Sequence, residues 1–413
     1  MKTLLGLALR SAWNRRLTLG LTLAAVALSS LLLLGVERLR ADLRASFAMS
    51  VSGVDLVVGA RGSPVQLMLY SVFRMGEVTQ NMSWASAQWL AQQPGVAWTV
   101  PVSLGDSHRG YPVLGTTPAY FDRFRYGDRR ELRLVAGRPF EGVFEAVLGA
   151  EVAERLGYRL GEQIALAHGS GEGPTAEHSD RPFVVVGILG RTGTPVDRSV
   201  HVSLQSMQAL HLDWAGGAPI PGLAIPAPML RKFDLTPKSV TAVFVGLENR
   251  AAVFGLQRAV NGHSGEALMG VLPGVALDEL WQLVAVAERY AQLVSLLVVA
   301  VGLTGLVAVI LAGLNERRRE LAILRSVGAR PLDIFALLAL AGSVLGAALV
   351  WVLVLMLGPW LQANYGLTLA SGPPGATEWR LLAGIIAVGV AAGLLPGWRA
   401  YRLSLADGMT PRL

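Results

Sequence analysis

Residues 17–36 form a run of twenty positions without a charged side chain, flanked by Arg15 and Arg16 on one side and by Glu37 and Arg38 on the other. Three further long apolar runs follow, at residues 291–314, 332–357 and 381–395, charged only at Asp333 near the start of the second of these. Gly358 and Pro359 break the third, and Pro396 and Gly397 break the fourth. A helix needs ~20 apolar residues to cross the hydrocarbon core of a bilayer. The first three runs reach that length, and the fourth, the shortest, reaches it by extending at either end. The predicted fold class is therefore α-helical membrane protein with four transmembrane helices. The long stretch between the first two helices must fold by itself.

The first run is longer than the apolar centre of a signal peptide, and no small-x-small cleavage site closes it. It is expected to stay as an anchor. No ionisable side chain lies in the interior of any of the four runs, which argues against a proton-coupled transporter with an intramembrane acid.

Arginine placement gives the orientation, because short cytoplasmic segments collect Lys and Arg. The formal net charge is +7. Lys2, Arg10, Arg15 and Arg16 precede the first run, and Arg317, Arg318, Arg319, Arg325 and Arg330 join the second to the third. Arg399, Arg402 and Arg412 follow the fourth, whereas the link from third to fourth has only Arg380 at its edge. Both termini and the second link are thus expected in the cytoplasm, with residues 38–289 on the outer side of the membrane, in the periplasm where the cell has two membranes. No nucleic-acid motif accompanies the positive charge, and no nucleic-acid partner is expected. Residues 1–16 read equally as an amphipathic helix in the lipid interface or as a plain basic flank.

The predicted boundaries follow: N-terminal segment 1–16, first span 17–37, periplasmic domain 38–289, second span 290–314, cytoplasmic helix 315–330, third span 331–358, periplasmic loop 359–380, fourth span 381–398 and cytoplasmic tail 399–413. At both ends of the periplasmic domain the pattern is helical. Leu39, Leu43 and Phe47 recur at spacing four, and Leu280, Leu283, Val284 and Ala287 share one face. The first two spans are expected to continue outward as a paired stalk. Inside, residues 55–58, 183–189, 240–245 and 163–167 read as strands and 150–156 as a helix, giving a large α+β domain. Residues 168–182 and 216–228 are loops by their Gly, Pro and polar content.

Several chemistries are excluded. With no cysteine there is no disulfide, thiolate metal site or thiol catalysis. The three lysines, Lys2, Lys232 and Lys238, never follow a glycine, so a phosphate-binding Gly-Lys loop is absent. No hydrolase elbow or paired-histidine zinc helix occurs. All six histidines (His108, His168, His178, His201, His211 and His263) fall in the periplasmic domain. No two stand at the i, i+3 or i, i+4 spacing that would place them on one helix face. No metal ligands and no catalytic residues are assigned from the sequence.

The most informative stretch is residues 316–329, ERRRELAILRSVGA in one-letter code. It reads as a short charged amphipathic helix that Gly328 can end, held between two membrane helices. A partner pushing on such a helix moves both neighbours.

This stretch resembles the coupling segment of FtsX-like ABC permeases, a family that includes the MacB-type exporters and the lipoprotein-releasing LolC/LolE permeases. The topology of one span, a large periplasmic domain and three spans is similar as well. Residues 136–140 (AGRPF), 146–157 (AVLGAEVAERLG) and 184–188 (VVVGI) resemble the MacB-like periplasmic core. Residues 55–67 (DLVVGARGSPVQL) resemble one proteobacterial branch.

The resemblance implies a permease subunit that is not itself an enzyme. A separate cytoplasmic ABC ATPase would bind ATP and Mg, and this chain would need no cofactor. A second permease copy, identical or a sibling, would complete a dimer in membrane lipid, with a periplasmic adaptor or cargo outside. The implied ATPase-coupling residues are Glu316, Arg317, Arg318, Glu320, Leu321, Leu324, Arg325 and Gly328, the arginines pairing with acids and the leucines filling a groove. The implied activity is mechanotransmission for export or extraction of a lipoprotein, lipid, peptide or small hydrophobic compound. The alternatives are an FtsX-like signalling subunit that activates a periplasmic partner, and a component of a metal-linked transport system.

Overall fold

A computed structural model of the chain describes residues 16–76, 80–169, 178, 180–215, 218–220, 225–230, 232–316, 348–349, 351–360 and 375–387. The chain divides into two compact units. One comprises Arg44–Leu283 with Gln362–Thr368, and the other comprises Met1–Leu43, Val284–Leu361 and Leu369–Leu413. Two long helices carry the second unit's first and second apolar runs: α1, Arg16–Met49, and α8, Pro273–Glu316. Residues 351–360 and 376–387 are also helical. Among the described residues no helix is long and apolar enough to cross a membrane, so the four spans stand as expectations of the sequence.

The Arg44–Leu283 unit is built on a mixed 11-stranded sheet. Its strands in chain order are β1 (Leu56–Ala60), β2 (Val96–His108), β3 (Tyr111–Thr116), β4 (Leu134–Gly137), β5 (Glu145–Leu148) and β6 (Gln163–Ile164). They continue with β7 (Ala167–His168), β8 (Phe183–Leu189), β9 (Val200–Ser203), β10 (Ala242–Leu247) and β11 (Leu268–Val271). The spatial order is β11-β1-β10-β2-β3-β9-β5-β8-β4, with β7 added on β2 and β6 on β8. The pairs β8–β5 and β9–β3 are parallel and the others antiparallel.

Valine-rich sequence explains the central strands. Leu56, Val57 and Val58 of β1 and Ala242, Val243, Phe244 and Val245 of β10 are all buried, as strands covered on both faces require. In β8 buried and half-buried positions alternate along the strand, matching the two-residue period of a pleat. Some of the helices start on serine caps: Ser63 accepts from Gln66 N before α2 (Pro64–Ser71), and Ser203 accepts from Ser206 N before α6 (Leu204–Leu210). Further helices are α3 (Trp84–Ala91), α4 (Ala119–Arg123), α5 (Ala150–Leu156) and α7 (Val253–Asn261).

Two motif glycines have a steric reason. Gly137, the end of β4, has φ +74° and lies opposite Gly187 of β8; an added Cβ would stand 2.0 Å from Val186 O. Gly149 caps α5, and a Cβ there would stand 2.3 Å from Val196 O. Both are positions where backbone approaches backbone too closely for any side chain.

In the other unit, Arg38 of α1 pairs with Glu378 at 3.5 Å, and its guanidinium lies 5.8 Å from the Trp351 ring centroid. Arg40 Nε reaches Glu288 Oε2 of α8 at 2.9 Å.

Candidate functional site

The sequence-predicted coupling residues meet the structure at one point: Glu316 is the last residue of α8. Arg317, Arg318, Glu320, Leu321, Leu324, Arg325 and Gly328 lie outside the described residues, as does the N-terminal segment 1–15.

The described residues instead assemble a compact polar site in the sheet unit. Its first member, Asp106, owes its position to a bulge in β2. The register between β2 and β3 shifts between Leu104 and Ser107, and Gly105 there has φ +151°. An extra residue in one strand bends it and re-aims the next side chain. Asp106 is the direct cross-strand partner of His168 in β7. The third member, His211, terminates α6, where its Nδ1 bonds Met207 O at 2.9 Å.

The three meet atom to atom. His168 Nδ1 lies 3.1 Å from Asp106 Oδ1 and 3.2 Å from His211 Nε2, and His211 Nε2 lies 3.3 Å from Asp106 Oδ1. The Asp106 side chain is fully buried, and its Oδ2 has no hydrogen-bond partner among the described residues. Burial would push the Asp106 carboxyl up, but hydrogen bonds and charge from His168 and His211 outweigh it and hold the group down at about 2. Burial likewise acts to lower His211, but the Asp106 hydrogen bond and charge win and raise it. His178 packs its ring edge-on to His211 at 5.7 Å between centroids, and burial lowers its pKa.

The surroundings fix this arrangement. His178 N donates to Leu166 O at 2.8 Å, anchoring that residue against the segment before β7. Arg181, two-pronged on Asp213, also donates to Ala209 O at 3.1 Å and Leu210 O at 2.9 Å, the carbonyls at the end of α6. His108, two residues along β2 from Asp106, is held by Ala165 O at 2.6 Å and Tyr158 Oη at 3.0 Å. Asp106 and His168 both line a cavity of about 690 Å³, together with Tyr70, Arg74, Asn81 and Pro112.

Comparison with known proteins places the whole chain. Residues 17–260 match the model of the MacB-like periplasmic core domain, more than half of the sequence, and residues 293–405 match the FtsX-like permease C-terminal model. The chain belongs to the FtsX/MacB-type ABC transporter permeases.

No curated protein matches it. The crystal structure of the periplasmic region of MacB from Actinobacillus actinomycetemcomitans is similar at 12% identity and a TM-score of 0.35, covering 55% of this chain and 94% of that one. The extracellular domain of the noncanonic ABC-type transporter YknZ from Gram-positive bacteria is similar at 16% identity and a TM-score of 0.30, covering 52% of this chain and 98% of that one. At such low TM-scores these likenesses add nothing to the assignment, which stands on the two family models.

The permease contains an extracytoplasmic α+β domain, as the sequence predicts. The Asp106–His168–His211 site was missed by sequence reasoning. Its members are 62 and 43 residues apart in the chain, and they come from a bulged strand, an edge strand and a helix end. The one sequence signal that bears on it is the confinement of all six histidines to residues 38–289.

Proposed function

We propose that this permease couples ATP hydrolysis by a separate cytoplasmic ABC ATPase to movement of its periplasmic domain, so as to export or extract a lipoprotein, lipid, peptide or small hydrophobic compound. The observation that carries this reading is the order of features in one chain. A MacB-like core precedes an FtsX-like permease segment, and the arginine- and leucine-rich residues 316–329 fall inside that segment. Arg317, Arg318 and Arg325 pair with acids of the ATPase, and Leu321 and Leu324 seat in its groove. A short helix tied at both ends to membrane helices transmits displacement, so closure of the ATPase dimer is felt in α1 and α8. Two permease subunits work together, with the spans at 17–37, 290–314, 331–358 and 381–398 and the domain at 38–289 in the periplasm.

The test is the double charge reversal Arg318→Glu and Arg325→Glu in the reconstituted complex. Membrane insertion is retained, while ATPase recruitment and transport-linked hydrolysis fall at least about tenfold, the loss of one or two charge-assisted contacts of 1.5–3 kcal/mol each. Unchanged recruitment and hydrolysis overturn the reading.

A further inference from the structure

We propose that Asp106, His168 and His211 form a binding site for a divalent transition-metal cation of the zinc class in the sheet unit of this permease. The inference is independent of how the chain engages an ATPase.

The three donor atoms form a nearly equilateral triangle with edges of 3.1, 3.2 and 3.3 Å. A cation at the Zn–N and Zn–O distance of ~2.0–2.1 Å from each would subtend donor–metal–donor angles of roughly 100°, close to one face of a tetrahedron. Two imidazole nitrogens and one carboxylate oxygen are also the donor types such an ion takes.

The ligands are also held ready for a metal. A metal-bound imidazole usually donates its other ring N–H to a backbone carbonyl, which fixes its tautomer. His211 does this: Nδ1 is engaged by Met207 O at 2.9 Å, which presents the Nε2 lone pair to the site. Asp106, whose side chain is fully buried, keeps Oδ2 without a hydrogen-bond partner among the described residues. A buried carboxylate oxygen left so is costly unless a cation compensates it.

One cation at the centre would meet all three donor atoms at once. Three protein ligands leave a fourth position for water or an incoming group, the arrangement of an exchangeable rather than a closed structural site. The 690 Å³ cavity lined by Asp106 and His168 gives the ion a route in and out.

The test uses the full-length protein in detergent, stripped with a chelator and then titrated with Zn2+ against a chromogenic competitor. One Zn2+ binds per chain, and Asp106→Asn, His168→Gln and His211→Gln each weaken binding at least tenfold. His263→Gln, which removes a histidine that stacks on Trp89 away from the site, leaves binding unchanged. Because a ligand variant can fail to fold, Co2+ is also added to the stripped wild type, where intense visible ligand-field bands report four-coordinate nitrogen and oxygen ligation. Absence of Zn2+ binding, affinity that the three ligand variants do not alter, or a weak six-coordinate Co2+ spectrum each overturn the proposal and leave an Asp–His–His ion-pair network in its place.

Discussion

Arg181 and Asp213 form a buried two-pronged ion pair, in which Arg181 Nη1 donates to Asp213 Oδ1 at 2.9 Å and Nη2 donates to Oδ2. The pair ties the residues just before β8 to the residues just after α6, and so holds His178 and His211 side by side. Arg181 additionally donates to the carbonyls of Ala209, Leu210 and Ile225. Removing one partner of a buried pair leaves the other charge uncompensated, which costs about 3–5 kcal/mol. Arg181→Met is therefore expected to lower stability by that amount in chemical denaturation. The double variant Arg181→Met with Asp213→Leu should recover part of it. A double variant no better than the single one would mean that Asp213 is not the group left stranded.

His201 gives a pH dependence with a definite sign. It is fully buried in β9, bonds Val147 O through Nδ1 at 3.2 Å, and packs against Tyr120. Burial, with the nearby Arg74 charge, pushes its pKa down to about 3. Between about 6.5 and about 3 the unfolded chain binds a proton that the folded chain does not, so stability rises with pH across that window. On acidification the wild type should lose about 1.4 kcal/mol per pH unit there relative to His201→Asn, which keeps a donor for Val147 O but cannot titrate. Unfolding midpoints of the two proteins measured between pH 7 and pH 4 check this. Parallel curves would place the titrating group elsewhere.

Gly137→Ala tests the steric account of the AGRPF motif. The residue has φ +74°, and its new Cβ would meet Val186 O at 2.0 Å. The left-handed backbone alone costs an alanine about 1–2 kcal/mol, and the overlap with a carbonyl adds to it by forcing β4 away from β8. The expected outcome is a loss of at least about 2 kcal/mol in chemical denaturation. Gly62→Ala, where an added Cβ meets nothing within 4 Å, should be nearly neutral.

Local patterns made much of this fold legible. The expected strand at residues 183–189 and helix at 150–156 coincide with β8 and α5, because strict alternation and a glycine at each end of α5 leave little choice. The strand read at 55–58 runs as Leu56–Ala60, and the one read at 240–245 runs mainly as Ala242–Leu247, boundary shifts set by pairing register rather than by composition. The strand read at 163–167 divides into β6 and β7, since Gln163–Ile164 pairs with β8 while Ala167–His168 pairs with β2. That division was not legible, and the candidate metal site depends on it: it delivers His168 opposite Asp106. A search for ligands at helical spacing registers neighbours along one chain segment and is blind to a cross-strand pair completed by a helix end.

The Arg38–Glu378 pair offers the last test. Both side chains are nearly buried, Glu378 Oε2 also accepts from Gly375 N at 2.7 Å, and Leu34 and Leu382 pack nearby as a small apolar cluster. The carboxylate thus both caps the start of the helix at 376–387 and neutralises an arginine of α1. Glu378→Gln keeps an acceptor for Gly375 but loses the charge; Arg38→Met loses the cation. Residues in direct contact couple by roughly 0.5–3 kcal/mol in a double-mutant cycle, and a pair this shielded should lie in the upper half of that range. Thermal stability of the detergent-solubilised permease, measured for wild type, both single variants and the double, gives the coupling. A value near zero would mean that the two side chains meet without depending on each other, and that α1 is held to the helix at 376–387 by the leucines alone.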